Sequence, residues 1–144
     1  MGCRPAAVSG QRLRCMTRIL FVCVENAGRS QMAEAFARQL APTGVQVFSA
    51  GSRPAASVSP AVVEAMRERG VDLSGKVPRG LDTLAAERFD VVVGMGCGDA
   101  CPVVHPGARS IAWEIPDPKG QPLERVRKIR DQIEGKVREL LSEL

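Results

Sequence analysis

Apolar positions fall along this chain in alternating blocks. Ile19-Leu20-Phe21-Val22 is an almost unbroken apolar run, the pattern of a strand buried in a parallel sheet, and it predicts a strand over 18–24. Met32, Phe36 and Leu40 follow at helical spacing, so 30–40 is predicted as a helix, ended by Pro42 and Gly44. A second strand is predicted over 45–50. Ser59-Pro60 then opens a helix to Arg69, stopped at Gly70, with Val62, Val63 and Met66 inward. Leu81 to Arg88 reads as a short helix, Asp90 to Met95 as a third strand, and Arg109 to Trp113 as a fourth. Val126, Ile129, Ile133, Val137, Leu140 and Leu144 form one stripe on a terminal helix from Leu123 to Leu144.

Strands alternating with helices imply right-handed βαβ units. The expected fold is α/β, an open four-stranded parallel sheet with helices on both faces. Ligands of such sheets bind beyond the carboxyl ends of the strands. Cys23, the loop after Met95 and the loop after Trp113 all leave such ends, so three segments far apart in sequence can converge.

With 144 residues, one domain is expected over residues 17–144, preceded by an irregular leader over residues 1–16 that holds Cys3 and Cys15. Met16 is a natural start for the domain. The leader is basic but lacks a long apolar segment, a poor match to a signal peptide. No run of roughly 18 apolar residues suggests a membrane span. Without export the five cysteines are expected to be reduced thiols in the cytoplasm, used for chemistry rather than as staples. The formal charge of +4, with four Phe, one Trp and no Tyr, favours an anionic substrate over nucleic acid. The single histidine, His105, leaves little for His-based metal sites, and none is expected.

The densest chemistry is Cys23-Val24-Glu25-Asn26-Ala27-Gly28-Arg29-Ser30. A thiol ends a strand, five residues intervene, and Arg29 and Ser30 open a helix. A loop of that size can turn its backbone N–H groups inward, and the helix start adds more free donors. A phosphate-sized anion fits such a cradle, with the Arg29 fork on two of its oxygens. The helix N-terminus, the guanidinium and the Ser30 hydroxyl all favour a sulfur anion at Cys23. The plainer alternative is a strand-end cysteine beside a surface arginine. Asn26 is suited to brace the loop. A second pair, Cys97-Gly98-Asp99-Ala100-Cys101-Pro102, follows strand three. A C-x3-C loop with glycine can bend to close a disulfide; half of a zinc site and two idle thiols are the alternatives.

The C-x5-R-S loop after a first strand resembles the low-molecular-weight tyrosine phosphatase fold. The runs ILFVCVENAGRSQMAEAF and VFSAGSRP, with the paired cysteines and Asp117-Pro118, are more similar to its thioredoxin-coupled arsenate reductase branch, over about Thr17 to Leu144. The resemblance implies oxyanion binding by residues Val24, Glu25, Asn26, Ala27, Gly28, Arg29 and Ser30. It implies Cys23 as nucleophile, Cys97 and Cys101 as first and second resolving thiols, and Asp117 as general acid, with Glu114 a weaker rival. An N-terminal turn residue is the alternative role for Asp117. It also implies a potassium site near Asn26, Glu34 and Ser49; Lys76-Val77-Pro78-Arg79 lacks the acidic residue expected there, and Arg79 is expected to pair with Glu34 instead.

The reading that follows is arsenate reduction to arsenite by a Cys23, Cys97, Cys101 relay. No organic cofactor is bound; thioredoxin, fed by NADPH through its reductase, is the expected partner of a monomer that contacts neither nucleic acid nor membrane. A low-molecular-weight tyrosine phosphatase needs Cys23, Arg29 and Asp117 but not the second pair. The lack of tyrosine and of an aromatic-rich rim speaks against it. A thiol-based arsenite or metal sensor would need neither acid nor cradle.

Overall fold

The computed structural model describes residues 17–96 and 107–144. Strands β1 (Thr17–Cys23), β2 (Val45–Gly51), β3 (Val91–Met95) and β4 (Arg109–Trp113) form one parallel sheet in the order β2-β1-β3-β4. Helices α1 (Arg29–Leu40), α2 (Pro60–Arg67) and α3 (Leu123–Ser142) complete the α/β chain. β1 lies inside the sheet, pairing Ile19 with both Val47 and Val91, so its five residues from Ile19 onward are all buried. β4 is an edge strand and is mostly exposed.

Period-two alternation along β1 divides the core. Ile19, Phe21 and Cys23 face the large cluster, where Met32 and Phe36 of α1, Val62 and Met66 of α2, and Ile129 and Ile133 of α3 pack together. Phe21 meets Trp113 there, ring centroids 5.8 Å apart. Leu20 and Val22 face the other side, against Ala50, Leu84 and Phe89. Among the described residues that second face is covered by a 3-10 turn, Leu81–Leu84, not by a helix reaching Arg88. Thr83 donates its hydroxyl to Gly80 O at 2.7 Å, and the 84-to-87 bond keeps the tight i, i+3 pattern, so the segment never lengthens into an α-helix.

The start of α2 at Ser59-Pro60 is built without a side-chain cap: Pro60 stands at the first turn, but the Ser59 side chain makes no capping bond. Ser59 is held by its backbone N–H, which donates to Ala27 O at 2.9 Å. The stripe of α3 is buried from Val126 to Leu140, while Leu144, beyond the helix end, is exposed. No helix among the described residues is long and apolar enough to cross a membrane.

Candidate active site

Val24 to Gly28 bridge the end of β1 and the start of α1. Their carbonyls are all taken up outside the loop. Cys23 O accepts from Ser52 N–H (3.3 Å), Val24 O from Arg53 N–H (2.7 Å), Glu25 O from Ala55 N–H (3.0 Å) and Gly28 O from Met32 N–H (3.0 Å). Ala27 O takes the Ser59 N–H, and Asn26 O takes Gln31 Nε2 at 3.1 Å. In a trans peptide the N–H points opposite to the C=O. Carbonyls drawn outward therefore turn the amide hydrogens inward. Among the described residues the N–H groups of residues 25–30 have no protein acceptor. With the free N-terminus of α1 they form a ready anion cradle.

Two residues make the turn possible. Asn26 adopts a left-handed conformation, φ +52°, one that asparagine tolerates better than most residues. Its side chain then locks the loop: Oδ1 accepts from Arg79 N–H (2.8 Å) and Gln31 Nε2 (3.1 Å), while Nδ2 donates to Ser30 Oγ (2.7 Å) and Ser49 Oγ (3.0 Å). Gly51 lies so close beneath the loop that a Cβ there would stand 2.6 Å from Val24 O and 2.8 Å from Asn26 N. The glycine of the SAG segment is thus a packing necessity.

Cys23 sits at the base of the cradle, 2% exposed, with Sγ 2.9 Å from Ser30 Oγ. Arg29 is also buried. Its Nη1 donates to Ile115 O (3.1 Å), and Nη2 lies 3.6 Å from Asp117 Oδ2. Asp117 is half-exposed, and its Oδ1 accepts from Lys119 N–H at 3.0 Å. Lys119 Nζ reaches back to Glu25 Oε2 (3.0 Å), tying the Asp117 loop to the cradle. A cavity of about 480 Å³ joins Cys23, Gly28, Arg29, Gly96, Asp117 and Pro118. Its described rim, including Ala55, Ser57, Ser59 and Pro60, carries no aromatic side chain.

Most of the expected site residues therefore meet. Cys23, Val24, Glu25, Ala27, Gly28, Arg29 and Asp117 line one cavity, with Asn26 and Ser30 bonded together behind it. Glu114 does not line it. Cys97 and Cys101 lie outside the described residues, as does His105; Gly96, which immediately precedes Cys97, is part of the cavity wall. One expectation is corrected. The partner of Glu34 is Arg38, one helical turn on, whose Nε and Nη2 reach Oε2 at 3.1 and 2.7 Å. Arg79 is exposed and contributes its backbone N–H to Asn26. Gln31, Arg38 and Gly96 also belong to this arrangement; of these only Arg38 carries a signal in the sequence, its i, i+4 spacing from Glu34.

The fold and this cradle define a class: α/β proteins in which a cysteine ends a central parallel strand and a loop of free N–H groups leads from it into a helix. The chain belongs to the low molecular weight phosphotyrosine protein phosphatase family, whose model matches residues 18–144. A Halobacterium salinarum protein provisionally named an arsenate reductase is 42% identical over 135 residues, covering 88% of this chain and 92% of that one. A structure of an arsenate reductase in its phosphate-binding state superposes with a TM-score of 0.80 at 35% identity, over 89% of this chain and 98% of that one. The thioredoxin-dependent arsenate reductase of Corynebacterium glutamicum gives a TM-score of 0.73 at 41% identity, over 89% of this chain. This chain spans 61% of the length of that Corynebacterium protein.

Proposed function

We propose that this protein reduces arsenate to arsenite by a three-thiol relay. The observation that carries the reading is the convergence of Cys23, Arg29 and Asp117 on one cavity whose rim lacks aromatic rings among the described residues. The likeness to proteins named arsenate reductases supports the choice of oxyanion. Arsenate lies in the cradle, its charge met by the inward N–H groups and by Arg29. Cys23 thiolate attacks arsenic, and Asp117 gives its proton to the departing oxygen, which leaves as water. Cys97 thiolate then attacks Cys23 Sγ. A sulfur–sulfur bond forms, the electron pair of the sulfur–arsenic bond passes to arsenic, and arsenite departs. Cys101 attacks Cys97, releasing Cys23 as thiolate and leaving a Cys97–Cys101 disulfide. A dithiol protein such as thioredoxin reduces it through a mixed disulfide, drawing on NADPH through its reductase. Two thiols supply the two electrons that arsenic gains, so no bound redox cofactor is needed. We further infer a monomer working in the cytoplasm, where such thiols stay reduced.

The test is arsenate-dependent NADPH consumption with thioredoxin and its reductase, run beside a glutaredoxin system. Cys23→Ser should stop every activity. Cys97→Ser should stop arsenate reduction while sparing hydrolysis of small phosphate esters, which the same cradle can support. Cys101→Ser should complete one turnover and stall. Sustained turnover by a Cys97/Cys101 double variant with the protein reductants would refute the relay. Ester hydrolysis without arsenate reduction by the intact protein would favour the phosphatase reading that the family relationship keeps in view.

A further inference from the structure

A continuous line of hydrogen bonds joins the buried nucleophile to a half-exposed arginine. Ser30 Oγ touches Cys23 Sγ at 2.9 Å. Asn26 Nδ2 donates to Ser30 Oγ and to Ser49 Oγ. Ser49 donates its hydroxyl to Glu34 Oε1 at 2.5 Å, and Arg38 closes the line on Glu34 Oε2. Arg38 Nη2 also donates to Val47 O (3.0 Å), so it bridges α1 and β2.

The direction of each bond is set by its neighbours. Asn26 Oδ1 is fixed as acceptor by the Arg79 N–H, so its amide cannot be reversed. The hydroxyl hydrogen of Ser49 goes to a carboxylate, which leaves Ser49 Oγ to accept from Asn26. Asn26 spends its other hydrogen on Ser30 Oγ. Ser30 then turns its own hydrogen to the sulfur, and a donor that is itself hydrogen-bonded is a stronger donor. The line therefore aims the Ser30 hydroxyl at the Cys23 sulfur, and Glu34 is its far anchor. Glu34 is 3% exposed, and a buried carboxylate needs a cationic partner.

The potassium site implied by the family resemblance would draw on Asn26, Glu34 and Ser49. These residues do not fit an ion here. Both Glu34 oxygens, Asn26 Oδ1 and Val47 O already accept hydrogen bonds from this chain's own donors. We propose that Arg38 is a positioning residue for Cys23, its guanidinium standing where a monovalent cation would otherwise be required, so that the reactivity of the nucleophile does not depend on potassium. The inference rests on Cys23 being the nucleophile of the reaction proposed above.

The test is the rate of Cys23 alkylation by iodoacetamide, read by peptide mapping of the full chain in potassium, sodium or choline chloride at equal ionic strength. The wild-type rate should be the same in all three. Arg38→Ala should slow alkylation in choline by about tenfold, the scale of one lost charge-assisted hydrogen-bonded contact. Arg38→Lys, or methylguanidinium added to Arg38→Ala, should recover most of that loss. Melting followed by circular dichroism confirms that each variant is folded; if Arg38→Ala is not, Arg38→Gln takes its place. A wild-type rate that rises severalfold with potassium overturns the assignment. So does an Arg38→Ala rate equal to wild type, or a slowing that neither Arg38→Lys nor methylguanidinium recovers, which is the mark of a merely structural pair. Alkylation needs neither arsenate nor a reductant, so a protein that behaves as expected here yet reduces no arsenate would sink the reductase reading and leave the role of Arg38 standing.

Discussion

Arg29 Nη2 lies 3.6 Å from Asp117 Oδ2, while Nη1 of the same guanidinium is anchored 3.1 Å from the carbonyl oxygen of Ile115. One side chain thus spans the cradle and the loop that carries Asp117. Its planar fork keeps one edge on the backbone and leaves the other for an anion or for Asp117. In the proposed reaction a bound oxyanion competes for that second edge, which frees the carboxyl to act on the departing oxygen.

Two substitutions separate these tasks. Asp117→Asn keeps the size of the side chain but cannot give up a proton, so turnover should fall by about a hundredfold to ten-thousandfold, as for loss of a general acid. Competitive inhibition by phosphate should change little. Arg29→Lys removes the fork, and phosphate should then inhibit far more weakly. A strong loss of phosphate binding in Asp117→Asn would contradict the division.

Gly96 is the next test. A Cβ built there would stand 2.0 Å from Arg29 Nη1, and its φ is +75°, a region that glycine occupies without cost. Gly96→Ala must push the guanidinium off Ile115 O or twist the loop that leads to Cys97. Oxyanion affinity should drop by about tenfold or more, by loss of one charge-assisted contact. The fold should persist, because the nearby core residues Met95 and Trp113 are untouched. Inhibition by phosphate, measured beside a thermal melt, distinguishes a displaced arginine from a damaged core.

Much of this architecture is legible in the chain because its signals are local. The apolar run of β1, the α3 stripe from Val126 to Leu140 and the C-x5-R-S spacing each depend on neighbours a few residues apart. The contact of Gly96 with Arg29 depends on how β3 lies beside β1, and nothing near Gly96 in sequence announces it. The helix expected from Leu81 to Arg88 is in fact the 3-10 turn Leu81–Leu84, because a short apolar run fits several conformations, and Gly80 and Thr83 decide between them. The pairing of Glu34 with Arg79 is expected from the acidic residue missing at 76–79, where the chain departs from the family pattern, although Arg38 stands four residues from Glu34 at the favoured helical spacing.

The larger core cluster can be tested by a single deletion of volume. Phe36 is 1% exposed, on the face of α1 that meets β1 and α3. Phe36→Ala removes a ring that its surroundings cannot fully replace, so the cost should be about 3–5 kcal/mol. Urea unfolding should show a lower midpoint with an unchanged slope. Val77→Ala is the control: at 75% exposure it should shift stability by no more than about 0.5 kcal/mol.

The contact between α2 and α3 makes stability depend on acid. Glu68 accepts from Arg127 Nη2 and Arg130 Nη1, each at 2.8 Å, and Arg130, itself buried, also donates to Ala65 O at 2.8 Å. Hydrogen bonds from Arg127 and then Arg130 lower the pKa of Glu68 from the ordinary 4.5 to about 2. A carboxyl whose folded pKa is depressed stabilises the fold above its unfolded pKa, and that contribution disappears as pH falls through the folded value. The window for Glu68 therefore runs from about pH 4.5 down to about pH 2. Asp131 is shifted the same way: burial opposes its charge most strongly of any single cause, but the hydrogen bonds and positive charges of Arg130 and Arg69 together outweigh it. Glu68→Gln keeps the shape of the side chain and removes one titration. Wild type should exceed the variant in stability by a constant margin from pH 5 to pH 7, and the margin should shrink steadily below pH 4.5. Urea midpoints of both proteins at a series of pH values measure it. A margin independent of pH would mean that Glu68 is no more strongly paired in the folded chain than in the unfolded one.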